Sequence, residues 1–207
     1  MAIVVEHDKR KHEILQKSLD VFIDEGYEDA TFQKIADRCG ITRTTLYIYF
    51  KNKHEIFLGS IKELLSELEV ILLEIAKDTS LTAKEALIKI LGEIIRHCSE
   101  NKKLFSVLLS YLIQLRKSGI DPNDRVRRRV IKLRHLMSTI IIRGIRAGEF
   151  KRLIVKNMNE LIYGLIESAI FRMAVLNQDN TDEILDAMEL AIEGWEGASG
   201  YLSKSLP

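Results

Sequence analysis

The chain has 207 residues, a formal net charge of +1 at pH 7, 46% hydrophobic and 29% charged residues, the proportions of an ordinary globular protein. No apolar run approaches the roughly 20 residues of a membrane-spanning helix. Its two cysteines, Cys39 and Cys98, form no CxxC pair and sit inside helical patterns, so buried thiols are expected rather than a disulfide framework or a cysteine zinc site, and neither a metal nor a cofactor is expected.

Only two prolines and eleven glycines interrupt long stretches rich in Leu, Ile, Glu and Lys, which predicts an all-α architecture. The opening MAIVVEHDKRK puts a short apolar run ahead of its charges, the reverse of a signal peptide. A cytoplasmic protein without a membrane partner is expected. A first helix is predicted over 8–25, with Ile14, Leu15, Ser18, Leu19, Phe22 and Ile23 as one stripe and Gly26 as its left-handed stop. Thr31 is placed to cap a short second helix carrying Phe32, Ile35 and Ala36 inward. Gly40 ends that helix and Thr42 caps a third over 42–50. Small Ala36 lets the two helices approach, and Ile35, Ile41, Leu46 and Phe50 can share one small core. Helix, glycine turn, helix is the grammar of a helix-turn-helix, whose second helix enters the major groove. Further helices are predicted over 52–77, 82–99, 102–117, 122–147, 156–177 and 181–203.

The third helix carries the recognition chemistry. Thr42, Arg43, Thr44 and Thr45 fill its first turn, where a reading helix meets base edges. Threonine offers a hydroxyl and a methyl, and arginine a bidentate partner for guanine. Tyr47, one turn on, can reach phosphate. Lys53 stands at the start of the next helix behind a cap expected at Asn52. A cation there opposes the helix dipole and gains nothing locally, so a phosphate nearby is expected.

The stretch LYIYFKNKHEIF, preceded by TFQKIADRCGITRTT, resembles the DNA-binding signature of TetR-type (tetracycline-repressor-like) bacterial transcriptional regulators. The matching residues are Tyr47, Tyr49, Phe50, Lys53, Glu55 and Ile56, with Ala30, Thr31, Phe32, Ile35 and Ala36 upstream; GEF at 148–150 resembles a junction before the last two helices. The resemblance implies a helix-turn-helix DNA-binding domain over 1–51 and a helical effector-binding and dimerisation domain over 52–207, with 52–77 as connector. It implies phosphate contacts from Thr31, Tyr47, Tyr49 and Lys53, and base contacts from Arg43, Thr44 and Thr45. The operator sequence does not follow, because Thr44 stands where relatives often carry a smaller residue.

The resemblance also implies a homodimer through the last two helices, where Leu161, Leu165, Ser168, Ala169, Met188 and Ile192 are the candidate contacts; the bland alternative is that these residues form the subunit's own core. His97, Tyr111, Gln114, His135 and Tyr163 are weak candidates to orient a small-molecule effector. Charge is uneven. Residues 122–152 hold ten Lys/Arg against two Asp/Glu, and residues 153–207 hold three against nine. The basic segment 125–134 reads as a solvated face, an anionic-effector contact, a second nucleic-acid contact or a lipid contact. The acids at Asp20, Asp24, Glu25, Glu28 and Asp29 are expected to face solvent or to stabilise the exit of the first helix.

No GxSxG, HExxH or phosphate-cradling glycine loop is present, which argues against an enzyme. The function expected is a ligand-responsive regulator, a repressor, that binds a palindromic operator in double-stranded DNA as a dimer and is released by its effector. The alternative is a helix-turn-helix regulator governed by a protein or membrane partner.

Overall fold

The computed structural model describes residues 2–178 and 180–197, with residues 2–5 and 123–125 as backbone only. Among these residues the fold is all-α. The helices are α1 (Ala2–Asp29), α2 (Phe32–Cys39), α3 (Arg43–Tyr49), α4 (Lys53–Lys77), α5 (Ala83–Glu100), α6 (Lys102–Lys117), α7 (Asn123–Ala147), α8 (Val155–Ala174) and α9 (Thr181–Glu193). Two compact units result.

The first unit takes the chain through Glu69 together with Lys103–Ser118. Gly26 breaks α1 with φ 79° and ψ 169°, so the expected stop is a kink followed by one more helical turn. Thr31 caps α2 by accepting from the Lys34 amide at 3.2 Å. Gly40, at φ 67°, donates its own amide to the carbonyls of Ala36 and Asp37. Thr42 caps α3 through the Thr45 amide at 3.1 Å. The three caps use the hydroxyls and the glycine for the reason sequence assigned them: helix ends leave backbone groups without partners. Ile14, Phe22, Ile35, Leu46, Phe50, Phe57 and Ile61 form one buried cluster, and Leu104, Tyr111 and Leu115 of α6 belong to it. A Cβ on Gly59 would lie 2.7 Å from Leu15 Cδ2, and Ser60 Oγ donates to the Leu15 carbonyl at 2.7 Å, so α4 lies tight on α1 at that point.

The second unit takes Val70–Lys102 and the chain from Gly119 onward. Leu87, Ile90, Leu91, Ile94, Ile95 and Cys98 repeat at helical spacing along α5 and are buried, the amphipathic stripe of a helix facing a core. α7, α8 and α9 pack around it. The GEF segment is a structural knot. Gly148 is left-handed at φ 78°. Glu149 accepts from the Ala83 amide at 2.6 Å at the start of α5, and Phe150 packs edge-on to Trp195, centroids 6.2 Å apart. Arg143 reaches the carbonyls of Ala76, Asp78, Leu81 and Thr82 at 3.4–3.5 Å, tying the end of α4 to the start of α5.

Two differences from the expected elements, and one in how an expected helix packs, have physical causes. α1 begins at Ala2 rather than near residue 8, because the helix continues through the charged segment without needing an apolar stripe. α9 stops at Glu193, because the chain turns to bury Trp195 and pair Glu196 with Phe150; the expected continuation over 198–203 lies outside the described residues. The helix expected over 102–117 forms, and it packs with the N-terminal helices because Leu104, Tyr111 and Leu115 complete their core.

Candidate nucleic-acid interface

α3 turns Leu46 into the core and leaves Arg43, Thr44, Tyr47 and Ile48 exposed. Tyr47 is 49% exposed, yet its ring stacks on Phe32 of α2 with centroids 4.5 Å apart. Arg43 Nη2 donates to the Tyr47 hydroxyl at 3.2 Å. The stack fixes the ring, and the ring steadies a guanidinium one turn away. Thr42 and Thr45 share a 2.8 Å hydrogen bond between their hydroxyls, and Thr45 is half-buried. Thr44 stands outward.

Tyr49 is half-buried, and its ring stacks on His7 of α1 at 4.7 Å. Thr31 is exposed beside the Phe32–Tyr47 stack, and its Oγ1 serves as the α2 cap. Thr31, Thr42, Arg43, Thr44, Thr45 and Tyr47 therefore share the α2–α3 edge of the first unit, and Tyr49 lies against α1.

Lys53 overturns one expectation. It does gain local partners: its ammonium donates to the Glu28 carbonyl at 2.8 Å and lies 4.7 Å from the centroid of the Tyr27 ring. The last turn of α1 presents the negative end of a helix there. Only the tertiary fold brings Glu28 to the start of α4. Asn52 caps that helix as expected, accepting from the Glu55 amide at 2.9 Å. Burial, then the neighbouring Tyr111 and Glu28, push the Tyr27 hydroxyl up to about 12. Tyr27, Phe57 and Tyr111 pack ring to ring at 4.7–4.9 Å.

Part of the acidic run is ion-paired within the unit. Arg38 of α2 pairs with Asp24 at 2.9 Å and with Asp20 at 3.6 Å, and Lys34 pairs with Glu25 at 2.6 Å. Each exposed pair contributes little stability, and the two cations offset only part of the charge of the five acids. His7, Ile48 and Lys51 are exposed near this edge and were missed from sequence. The signal for Ile48 was its spacing of four from Thr44; His7 carried none, because its stacking on Tyr49 is tertiary.

The effector candidates are not gathered in one place. Tyr111 belongs to the first unit's core, its hydroxyl 2.7 Å from His54 Nδ1, and Gln114 is exposed on the same helix. His97 is buried on α5, His135 is exposed on α7 and Tyr163 is half-buried on α8 in the second unit. The Arg134 guanidinium lies 4.2 Å from the Tyr163 ring centroid and pairs with Glu160. A small apolar cavity of about 10 Å³ lies between α4 and α6, lined by Ile61, Leu64, Leu65, Leu104, Phe105 and Leu108. In the basic segment, Arg127 and Arg128 are exposed; the side chain of Arg125 lies outside the described residues.

The dimer candidates split in two. Leu161 is 48% exposed, Leu165 is half-buried and Ser168 is exposed. Ala169, Met188 and Ile192 are buried within their own unit, where the bland alternative put them. Phe171, 50% exposed, and Val175 extend the open stripe along α8, and Leu190 is exposed on α9. Among the described residues no helix is long and apolar enough to cross a membrane, and no group of His, Cys, Asp and Glu could hold a metal ion.

Residues 14–59 match the family model described as bacterial regulatory proteins, tetR family. The fatty acid metabolism regulator protein of Bacillus subtilis is 25% identical over 186 residues, which is 88% of this chain and 93% of that protein. Among solved structures, a TetR transcription regulator from Haloarcula marismortui superposes with a TM-score of 0.77 at 21% identity, over 91% of this chain and 97% of that one. The transcriptional regulator FadR from Bacillus subtilis, in complex with stearoyl-CoA, superposes with a TM-score of 0.71 at 23% identity, over 88% and 95%. These superpositions establish the fold.

Proposed function

We propose that this chain, whose residues 14–59 match the tetR family of bacterial regulatory proteins, is a DNA-binding transcriptional repressor of that family, bound to a palindromic operator as a homodimer and released by an acyl-coenzyme A. The observation that carries the DNA half is the outward face of α3, where Arg43 is held on Tyr47 and Tyr47 on Phe32. Arg43, Thr44 and Thr45 read bases. Thr31, Thr42, Tyr47, Tyr49 and Lys53 hold the backbone on either side. Lys53 has three donors, so its bond to Glu28 leaves two directions for phosphate. Residues 1–51 do the reading, 52–77 connect, and 52–207 bind effector and partner, with Tyr111 of α6 packed against α1 and α4.

The dimer is assigned to the open stripe of α8, Leu161, Leu165, Ser168, Phe171 and Val175, together with Leu190 of α9. A two-fold pair presents its two α3 helices roughly 34–36 Å apart, one turn of DNA. The effector class is supported by likeness to a fatty acid metabolism regulator and to a structure holding stearoyl-CoA. The exposed Arg127 and Arg128 suit the phosphates of such a molecule. Effector and operator are linked: the ligand must bind the two states unequally, and DNA must weaken its binding by the same factor.

The test is fluorescence anisotropy on DNA from upstream of the protein's own gene, with a scrambled duplex beside it. Saturable binding of two subunits, weakened by Tyr47→Phe and reversed by stearoyl-CoA but not by free coenzyme A, is expected. Specific binding that no acyl-coenzyme A of any length disturbs overturns the effector half and leaves control by a protein or membrane partner. Equal binding to both duplexes overturns the choice of operator.

A further inference from the structure

The seven residues of α3 present two outward ridges. Arg43 and Tyr47 form one. Thr44 and Ile48, also four apart, form the other. Ile48 is 69% exposed. Between residues 6 and 69, Tyr47 and Ile48 are the large apolar side chains left exposed, while Leu46, Phe50, Ile56, Phe57 and Ile61 all turn inward. Tyr47 has its reason in the stack on Phe32. Ile48 contributes nothing to the unit's core, and a β-branched residue is not the choice for an exposed helical position on propensity grounds. Its exposed methyls lie on the helix that meets base edges, beside the methyl-bearing Thr44.

The major-groove edge of a base pair offers one apolar group, the C5-methyl of thymine; the others are hydrogen-bond donors and acceptors, which an aliphatic side chain cannot satisfy. We propose that Ile48 is a specificity-determining residue, packing against the C5-methyl of a thymine in each operator half-site. The inference rests on the DNA-reading role of α3. Arg43 and Thr44 then supply the polar part of recognition, and Ile48 supplies a preference that hydrogen bonding cannot provide. Uracil, which lacks only that methyl, discriminates against every other account.

Duplexes are first selected from a randomised pool with the full-length protein. Each thymine of the selected site is then replaced singly by uracil, and affinities are measured for the wild type, Ile48→Ala and Ile48→Val. At one thymine per half-site, uracil is expected to weaken the wild type roughly fourfold, the loss of one buried methyl. Ile48→Ala weakens binding to the thymine duplex by a similar factor and is indifferent to uracil at that position, while Ile48→Val keeps most of the preference. Losses at the remaining thymines are the same in all three proteins. A selected site without thymine in its half-sites overturns the proposal, as does an Ile48→Ala loss that is equal on every duplex or absent. A pool from which nothing is selected fails the DNA-reading role first, and this inference with it.

Discussion

The Lys53 ammonium donates to the Glu28 carbonyl at 2.8 Å, across 25 residues of sequence. It joins the start of α4 to the end of α1 with the side chain proposed to hold phosphate. Lys53→Ala therefore acts twice. It is expected to lower unfolding stability by about 0.5–1.5 kcal/mol, the loss of one modest hydrogen bond. It also weakens operator binding uniformly across sequences and lowers the salt slope by about one. Urea melts and anisotropy at two salt concentrations separate the effects; an unchanged salt slope removes the phosphate contact and leaves the structural one.

Gly144 is required by packing rather than by its dihedrals. A Cβ there would overlap the Phe150 ring and lie 2.7 Å from Ala83 Cβ. Gly144→Ala is expected to destabilise the protein by about 1–3 kcal/mol through overpacking. The salt slope of DNA binding by the remaining folded protein should stay as in the wild type. A melting temperature equal to that of the wild type would show that the GEF knot yields freely.

The α8 stripe and the buried dimer candidates should respond in opposite ways. Leu161→Glu with Phe171→Glu places two charges on the open face and is expected to give a folded monomer by sedimentation, with operator affinity reduced at least about tenfold as the second half-site is lost. Met188→Ala instead empties part of the subunit's own core, at about 2–4 kcal/mol. It should lower the melting temperature without selectively dissociating the dimer. A doubly charged variant that still sediments as a dimer sinks the α8 assignment.

A buried thiol and a half-buried phenol predict alkaline destabilisation. Burial raises the Cys98 thiol from 9.0 to about 12, and burial, Tyr111 and Glu28 raise the Tyr27 hydroxyl from 10.0 to about 12. Both folded values exceed the unfolded ones. The folded state thus holds more protons in between, and the stabilisation is full below pH 9.0 for Cys98 and below 10.0 for Tyr27, then lost as pH rises toward about 12. Urea melts between about pH 8 and about pH 11 should show stability that is level at first and declines above about pH 9, a decline that Cys98→Val delays. A flat profile across that range would contradict both shifts. The same burial keeps Cys98 inert to alkylating reagents until the protein unfolds.

Much of the reading unit was legible in the sequence because its determinants are local. Thr31, Gly40, Thr42 and Asn52 do their work within four residues of their own position, and the inward stripe of α5 follows from helical periodicity alone. The chemistry of α3 was legible for the same reason: Arg43, Thr44 and Tyr47 share a face by spacing. The effector candidates were not, since polar residues scattered over five positions carry no signal of which helices will face one another.

By itself the sequence determined an all-α chain, the helix-turn-helix and the outward placing of Arg43, Thr44 and Tyr47 on its second helix, since backbone capping and side-chain periodicity act over a single turn. The tertiary structure alone decided that Lys53 meets Glu28, that Arg38 and Lys34 pair with Asp20, Asp24 and Glu25, that α6 completes the N-terminal core, and which of α8's and α9's apolar residues remain open to a partner. Those outcomes depend on contacts between residues 9 to 57 positions apart, and the pattern of one helix does not encode the angle at which another will cross it.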